Sequence, residues 1–361
     1  NMGISAAKVI LLSIFLFLGM LLPGIVFQPK SSFEVWNINE SDFPSNSSRP
    51  QEKLAFLLNY AILAPSSHNS QPWKFNVSDD EILLYADRSR WLSVADADKR
   101  EIYISLGAAL ENLIIAAEHF GYNCTVSAFP GEEDLVASVK LQAGIPAPAN
   151  SVLFPAITSR PTNRNPYEMQ ALSQADLDRL LSLSSHPDVA VFLSQDPDTI
   201  EAFRELVVEA DGILYSDINY KSELGRWLGQ GVMGPRGVEA KLAQLAVVFL
   251  DVGPEQIRQD SELINRTPCI GFICTAENDS LSSVRAGQVL ERLWLAATAS
   301  GISLHPMSQP MEVPEIKERL ADLIPSGSEK RVVQQTFRLG YAASEGGPSN
   351  RRPLETVLIE I

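Results

Sequence analysis

Gly107-Ala108-Ala109-Leu110-Glu111-Asn112-Leu113-Ile114-Ile115-Ala116-Ala117-Glu118-His119-Phe120-Gly121 returns, 180 residues later and without a gap, as Gly287-Gln288-Val289-Leu290-Glu291-Arg292-Leu293-Trp294-Leu295-Ala296-Ala297-Thr298-Ala299-Ser300-Gly301. Seven of the fifteen positions are identical, and Pro130 and Pro310 keep the same offset. Apolar residues recur at spacings of three and four, which predicts an amphipathic helix. The closing glycine suits the left-handed backbone that caps a helix. Small residues at matched places let each helix pack closely against a neighbour. Two alanine- and leucine-rich helices can resemble each other by chance, but seven ungapped identities favour duplication. The period is half a chain, so the expectation is a fused pair and not a solenoid. Symmetric dimers build sites between identical subunits, and fusion puts such a pair in one chain, where one of two sites is free to decay.

The length of 361 residues allows two ordinary domains or one large duplicated one. A net charge of -15 repels nucleic acid, whose binding depends on Lys and Arg displacing counterions. The three cysteines, Cys124, Cys269 and Cys274, include no C-x-x-C pair. Cys269 and Cys274 flank an apolar run and read as small buried hydrophobes. His68, His119, His186 and His305 show no ligand spacing, so no metal site is expected.

Val9 to Phe27 is almost unbroken apolar sequence, ~28 Å as a helix and just long enough to span a bilayer. Its end, Leu22-Pro23-Gly24-Ile25-Val26-Phe27, fits a signal-cleavage site poorly, so residues 1–27 read as an uncleaved anchor in preference to a cleaved signal. Lys8 and Lys30 flank the run and leave the sidedness of the membrane open. Residues 28–50 are polar and read as a linker. Two α+β halves follow, 51–150 and 151–361, joined through the proline-rich stretch 144–155. Helices are expected at 51–63, 99–120, 173–183 and 198–215, and strands at 81–86, 124–129, 135–141, 189–193, 268–275 and 336–341.

Four segments carry chemistry. Ala64-Pro65-Ser66-Ser67-His68-Asn69-Ser70-Gln71-Pro72-Trp73 puts hydroxyls and amides in a short loop stiffened by two prolines. A planar heterocycle with edge acceptors needs such a preformed polar rim, although an ordinary turn with a helix cap has the same look. Arg160-Pro161-Thr162-Asn163-Arg164 pairs two guanidinium groups with a hydroxyl, and arginine forks suit phosphate. The plain alternative is two solvated arginines on a loop. Arg351-Arg352-Pro353 puts a second arginine pair near the C-terminus of an acidic chain. Gly301 to Glu312 contains Ser308 and Gln309, and also His305, a lone histidine read as structural.

The first of these segments resembles the A-P-S-x-x-N-x-Q-P-W signature of nitroreductases. The later ones follow in that family's order, and the whole resembles its Acg-type, twin-nitroreductase branch from about Leu54 to Ile361. The resemblance implies an α+β fold of two fused halves, each an antiparallel-rich sheet packed with helices, beside the N-terminal membrane helix. It implies FMN as cofactor, with Pro65, Ser66, Ser67, Asn69 and Gln71 around the ring. Arg160, Thr162, Arg164, Arg351 and Arg352 fall at the phosphate and ribityl chain, and Ser308 and Gln309 near flavin N5. The family's E-G pair at that last place is absent. The first half has no R-x-T-x-R before its loop, so one composite site between the halves is expected, not two. The implied activity is FMN-dependent oxidoreduction of a small aromatic or quinone-like electron acceptor, with NAD(P)H as donor. The alternative is a flavin-sequestering or partner-binding protein with little turnover, with residues 225–250 as a lid. Asp87 to Trp91 and Asp96 to Arg100 read as local ion pairs and caps.

Overall fold

Pro50 supplies the preset φ that opens the first helix, α1 (Pro50–Ala61). The computed structural model describes residues 33–144, 150–344 and 346–360. The apolar run 9–27 lies outside them, and among the described residues no helix is long and apolar enough to cross a membrane.

The repeated segments form two helices of equal length at the same offset, α2 (Arg100–His119) and α8 (Ser280–Ala299). Each start is capped by an aspartate. Asp96 accepts from the amides of Glu101 and Ile102 at 2.8 and 2.9 Å, and Asp279 from that of Ser282 at 2.7 Å. Each end has its glycine in the left-handed region, Gly121 at φ 84° and Gly301 at φ 69°. At the latter, Ile302 N–H reaches back to the Ala297 carbonyl at 2.8 Å and closes the cap.

The two helices pack on each other through the repeated glycines. A Cβ on Gly107 would stand 2.0 Å from the Val284 carbonyl oxygen, and one on Gly287 would stand 2.1 Å from that of Ile104. These two contacts exchange under the 180-residue offset, as a local two-fold axis at the crossing requires. Leu106, Leu113, Leu293 and Leu295 are fully buried around it, each stabilising by about 1.5–3 kcal/mol.

Two antiparallel sheets flank the crossing. The first holds β1 (Trp73–Val77), β2 (Glu81–Ala86), β3 (Tyr122–Ala128) and β4 (Leu135–Ala143) in the order β1-β2-β4-β3. The second holds β5 (Val189–Ser194), β6 (Cys269–Thr275), β7 (Ser303–Pro306) and β8 (Val332–Gly340) in the order β5-β6-β8-β7, the same order position by position. Every residue of β6 is buried, Cys269 and Cys274 among them, which accounts for its continuous apolar run.

The sheets differ in one connection. Residues 78–80 join β1 to β2, whereas four helices stand between β5 and β6: α4 (Pro197–Ser216), α5 (Ile218–Gly229), α6 (Gly237–Phe249) and α7 (Gly253–Asn265). The other helices longer than one turn among the described residues are α3 (Gln174–Leu183) and α9 (Pro314–Arg319), and a single helical turn lies at Phe154–Ile157.

Two segments sit elsewhere than the sequence pattern places them. The chain's last residues, read with the second half, return to the first sheet. Phe75 donates to the Val357 carbonyl and accepts from the Ile359 amide, both at 2.8 Å. The described part of the stretch read as a linker contains ordered 3-10 turns at Phe33–Trp36 and Glu40–Asp42, and Trp36 is buried, with its Nε1 donating to the Ser349 carbonyl at 2.8 Å.

Candidate functional site

The 64–73 loop leaves α1 in a backbone that few residues adopt. His68, Asn69 and Gln71 all have positive φ, at 48°, 51° and 52°. Such strain persists only where the surroundings fix it, and here distant segments do. Asn69 donates to the Val232 carbonyl at 2.7 Å and the Asn350 carbonyl at 2.8 Å, and accepts from Arg351 Nη1 at 2.9 Å. Ser66 Oγ accepts from the Gln71 amide at 2.9 Å. Ser67 Oγ donates to Glu101 at 2.9 Å, and Glu101 is paired with Arg100 at 2.8 Å.

This loop forms part of the wall of a cavity of about 840 Å³. Helices α2 and α8 supply the floor through Ile104, Ser105, Ala108, Leu290 and Trp294, and α4, α5, α6 and α7 cover it. Of the residues expected at a cofactor, Pro65, Ser66, Ser67, Asn69, Thr162, Arg164, Ser308, Gln309 and Arg351 line this cavity, although the sequence spreads them over almost 300 positions.

Gln71, Arg160 and Arg352 are not on the wall, and each has another task. Gln71 is buried behind the loop, where its Oε1 accepts from the Arg352 amide at 2.6 Å. Arg352 bonds the Gln71 carbonyl at 3.0 Å and lies 3.4 Å from Asp87. Arg160 lies 3.2 Å from Glu291, 4.5 Å from the Trp294 ring centroid, and donates to the Leu63 carbonyl at 2.9 Å. Arg351 Nη2 donates to the same carbonyl at 2.9 Å. Two arginines thus clamp the residue just before the loop, and the clamp takes the place of the ligand contact expected for Arg160.

Arg164 is different. It is exposed and lines the cavity; partial desolvation lowers its pKa, while Tyr167 opposes the shift. Among the described residues it has no hydrogen-bond or ion-pair partner. Arg351 keeps its Nε unpaired, and burial, then the neighbouring Arg160, pull its pKa down to about 9. A site that collects cations and leaves them uncompensated is prepared for an anion.

The sequence reading passed over both histidines of the wall. His68 is half-buried, its Nδ1 is enclosed and unpaired among the described residues, and desolvation lowers its pKa to about 4 despite Glu223 and Glu101. His305, read as structural, lines the cavity and accepts from Arg338 Nε at 3.1 Å through Nδ1. Burial and Arg338 hold it neutral, so its proton is on Nε2. Only the lone position of His68 inside the loop motif signalled either one. Asp96 caps α2, and Asp98 accepts from the Arg100 amide at 3.2 Å and pairs with Lys317 at 2.6 Å, as local ion pairs and caps.

No family model matches the chain. A Mycobacterium tuberculosis H37Rv protein designated an NAD(P)H nitroreductase is 27% identical over 320 residues, 85% of this chain and 91% of that one. The acg protein of the same strain, similarly designated, is 25% identical over 327 residues, 82% of this chain and 92% of its own. The chain is similar to the Acg-type branch of the nitroreductase superfamily. Among solved structures, a nitroreductase with bound FMN from Desulfitobacterium hafniense matches 58% of this chain and 98% of its own, at 11% identity and a TM-score of 0.39. An FMN-dependent nitroreductase of Mycobacterium smegmatis in complex with NADPH matches 53% and 88%, at 13% identity and a TM-score of 0.35.

Proposed function

We propose that this chain is an FMN-dependent oxidoreductase that passes electrons from NAD(P)H to a small aromatic or quinone-like acceptor. One observation carries the reading: the guanidinium of Arg164, unpaired among the described residues, shares a cavity wall with the Ser66–Asn69 loop. The residues present fit the cofactor. Arg164, Arg351 and Thr162 would hold the phosphate end, because Arg164 and Arg351 Nε have no acceptor of their own. The Pro65–Ser67 stretch and Ser308–Gln309 would face the ring. Ser308 is itself fixed by Gln335 at 3.1 Å. Bound there, the flavin would supply the two-electron chemistry, and the protein its position and electrostatics. His305 would present a neutral Nε2–H donor to whatever lies in the cavity.

The two sheets of equal order, with exchange-related glycine contacts, support descent from two fused copies. The second copy's loop has shrunk to residues 184–188, between α3 and β5. One cofactor per chain is therefore proposed.

A second reading has its own support. The α5–α6 connection is bonded directly to the loop and the C-terminal segment: Asn69 to the Val232 carbonyl, Asn350 Nδ2 to that of Gly231 at 2.8 Å, and Arg236 to Asn350 Oδ1. Phe33 stacks under Arg236 at 4.0 Å. Such closure favours flavin retention over rapid turnover. Anaerobic addition of NADPH separates the two: bleaching of the yellow colour, restored by menadione, supports the enzyme, and an unbleached yellow protein supports sequestration. We further propose that residues 9–27 anchor the protein in a membrane; release of the full chain by alkaline carbonate washing would refute this.

A further inference from the structure

The cavity has two chemistries. One end carries Arg164 and Arg351; the other carries three carboxyl groups from three segments, Asp211 of α4, Asp260 of α7 and Glu312 before α9. Asp260 is satisfied by Gln256 Nε2 at 2.8 Å and Gln309 Nε2 at 3.2 Å. Asp211 has no donor. It is fully buried, it lines the cavity, and among the described residues neither carboxyl oxygen accepts a hydrogen bond; its side-chain partner is the Asp260 carboxyl, with which it shares a proton. Glu312 Oε2 is buried in the same condition. A buried carboxyl that accepts from no donor is costly, so a purely structural role would have given it one. The cations beyond the cluster are paired with other groups and donate to neither Asp211 nor Glu312: Arg338 bonds His305 and the Asn165 carbonyl, and Arg100 pairs with Glu101. Asp211 and Asp260 both come from the helices inserted between β5 and β6, which have no counterpart in the first sheet.

We infer that this end of the cavity receives a cationic nitrogen of the substrate, so that the electron acceptor is an amine- or amidine-bearing aromatic compound. The inference rests on the flavin reading for the word acceptor, but the cation site itself does not need flavin. The groups facing Asp211 are Asp260 and Gln256 of α7, Tyr215 of its own helix, Tyr220 of α5, Gln309 and Glu312, with Arg338 and Glu101 beyond. Burial, and then Asp260, raise the Asp211 pKa to about 8. Asp260 and Glu312 are raised as well, Glu312 strongly, by burial first. Before a cation arrives the cluster therefore keeps protons, and a bound cation displaces one of them. Affinity must rise with pH up to about 8.

The test is calorimetric titration of benzamidine, with neutral benzamide as control, at about pH 6 and about pH 7.5 in buffers of different ionisation enthalpy. The expected result is benzamidine binding more than about tenfold tighter at the higher pH, as one displaced proton requires, with protons released to the buffer and no such binding by benzamide. Asp211→Asn should abolish the pH dependence, and Asp260→Asn should weaken it; melting curves check that both variants are folded. Equal affinity for the two compounds, or benzamidine affinity that ignores pH in the unaltered protein, would overturn the inference. Absorption spectra of the same samples report flavin content separately. Benzamidine binding without flavin would count against the cofactor reading alone, and flavin without benzamidine binding against the cation site alone.

Discussion

Replacing Gly107 by alanine should loosen the whole molecule, because the helix crossing has no room for a methyl group. The added Cβ would stand 2.0 Å from the Val284 carbonyl oxygen, where ordinary contact begins at about 3.4 Å. The obstacle is backbone, so no side chain can rotate away, and the helices must part by about 1.4 Å at that point. Overpacking a well-filled core costs about 1–3 kcal/mol, and a rigid obstacle puts this case at the upper end. Alanine returns up to about 1 kcal/mol through its better helix propensity. The net expectation is a loss of about 2 kcal/mol, read from the urea midpoint at constant slope. Gly287→Ala should cost the same, since its Cβ would stand 2.1 Å from the Ile104 carbonyl. The double variant is the sharper test. One separation relieves both clashes, so the second substitution should add little, and the cycle should show a coupling of about 1 kcal/mol or more. Both variants should also weaken flavin binding, because Ile104, Ser105, Leu290 and Trp294 at the crossing line the cavity. A Gly107→Ala protein within about 0.5 kcal/mol of the parent, or two fully additive losses, would refute the shared crossing.

Arg164→Ala should lower FMN affinity about tenfold to a hundredfold with little change in stability, as loss of a charged hydrogen bond would; undiminished affinity by fluorescence titration would remove Arg164 from the phosphate. Arg160→Ala should instead destabilise the fold by about 3 kcal/mol, because it strands the buried Glu291; a stability loss smaller than that of Arg164→Ala in the same urea titration would contradict the division of labour. Stability of the flavin-free chain should fall as pH rises from about 6.5 to about 8. Asp211 and Asp96 ionise near 3.8 when unfolded but near about 8 when folded, so the native state holds extra protons across that span. Below about 6.5 the opposite slope of His68, folded pKa about 4, offsets this, and Asp211→Asn should flatten the upper limb in urea melts at stepped pH. Asn350→Ala removes a bond between the C-terminal segment and the Gly231 carbonyl, so stopped-flow mixing should show faster flavin release than from the parent; an unchanged rate would separate that bond from closure.

Local pattern made much of this legible. The helix spacing, the aspartate caps and the glycine ends of α2 and α8 depend on residues within one or two turns of each other, and the strand at 81–86 agrees with β2 to the residue. The 64–73 loop and Thr162 with Arg164 also declared themselves, since residue type alone specified their chemistry. What escaped was long-range. Leu354 to Ile359 is too short to show a strand period, so its return to β1 had no signal. Asn69 looks like a ligand residue by type, yet its donors and acceptor are all engaged by Val232, Asn350 and Arg351, partners up to 282 positions away. Arg160 and Arg164 share one motif, and only the position of Glu291 sends one inward and leaves the other at the cavity. Helix α6 was hidden by the glycines before it and by its exposed apolar residues, Val238, Leu245 and Phe249, which blur an amphipathic face.

The duplication allows two cofactor sites, whereas the arrangement of loop and arginines allows one. Equilibrium titration of the flavin-free chain with FMN, followed by fluorescence quenching and protein-referenced absorbance, counts them directly. The account predicts saturation at one FMN per chain, abolished in the Arg164→Ala, Arg351→Ala double variant; saturation at two, or at one with both arginines removed, would contradict it.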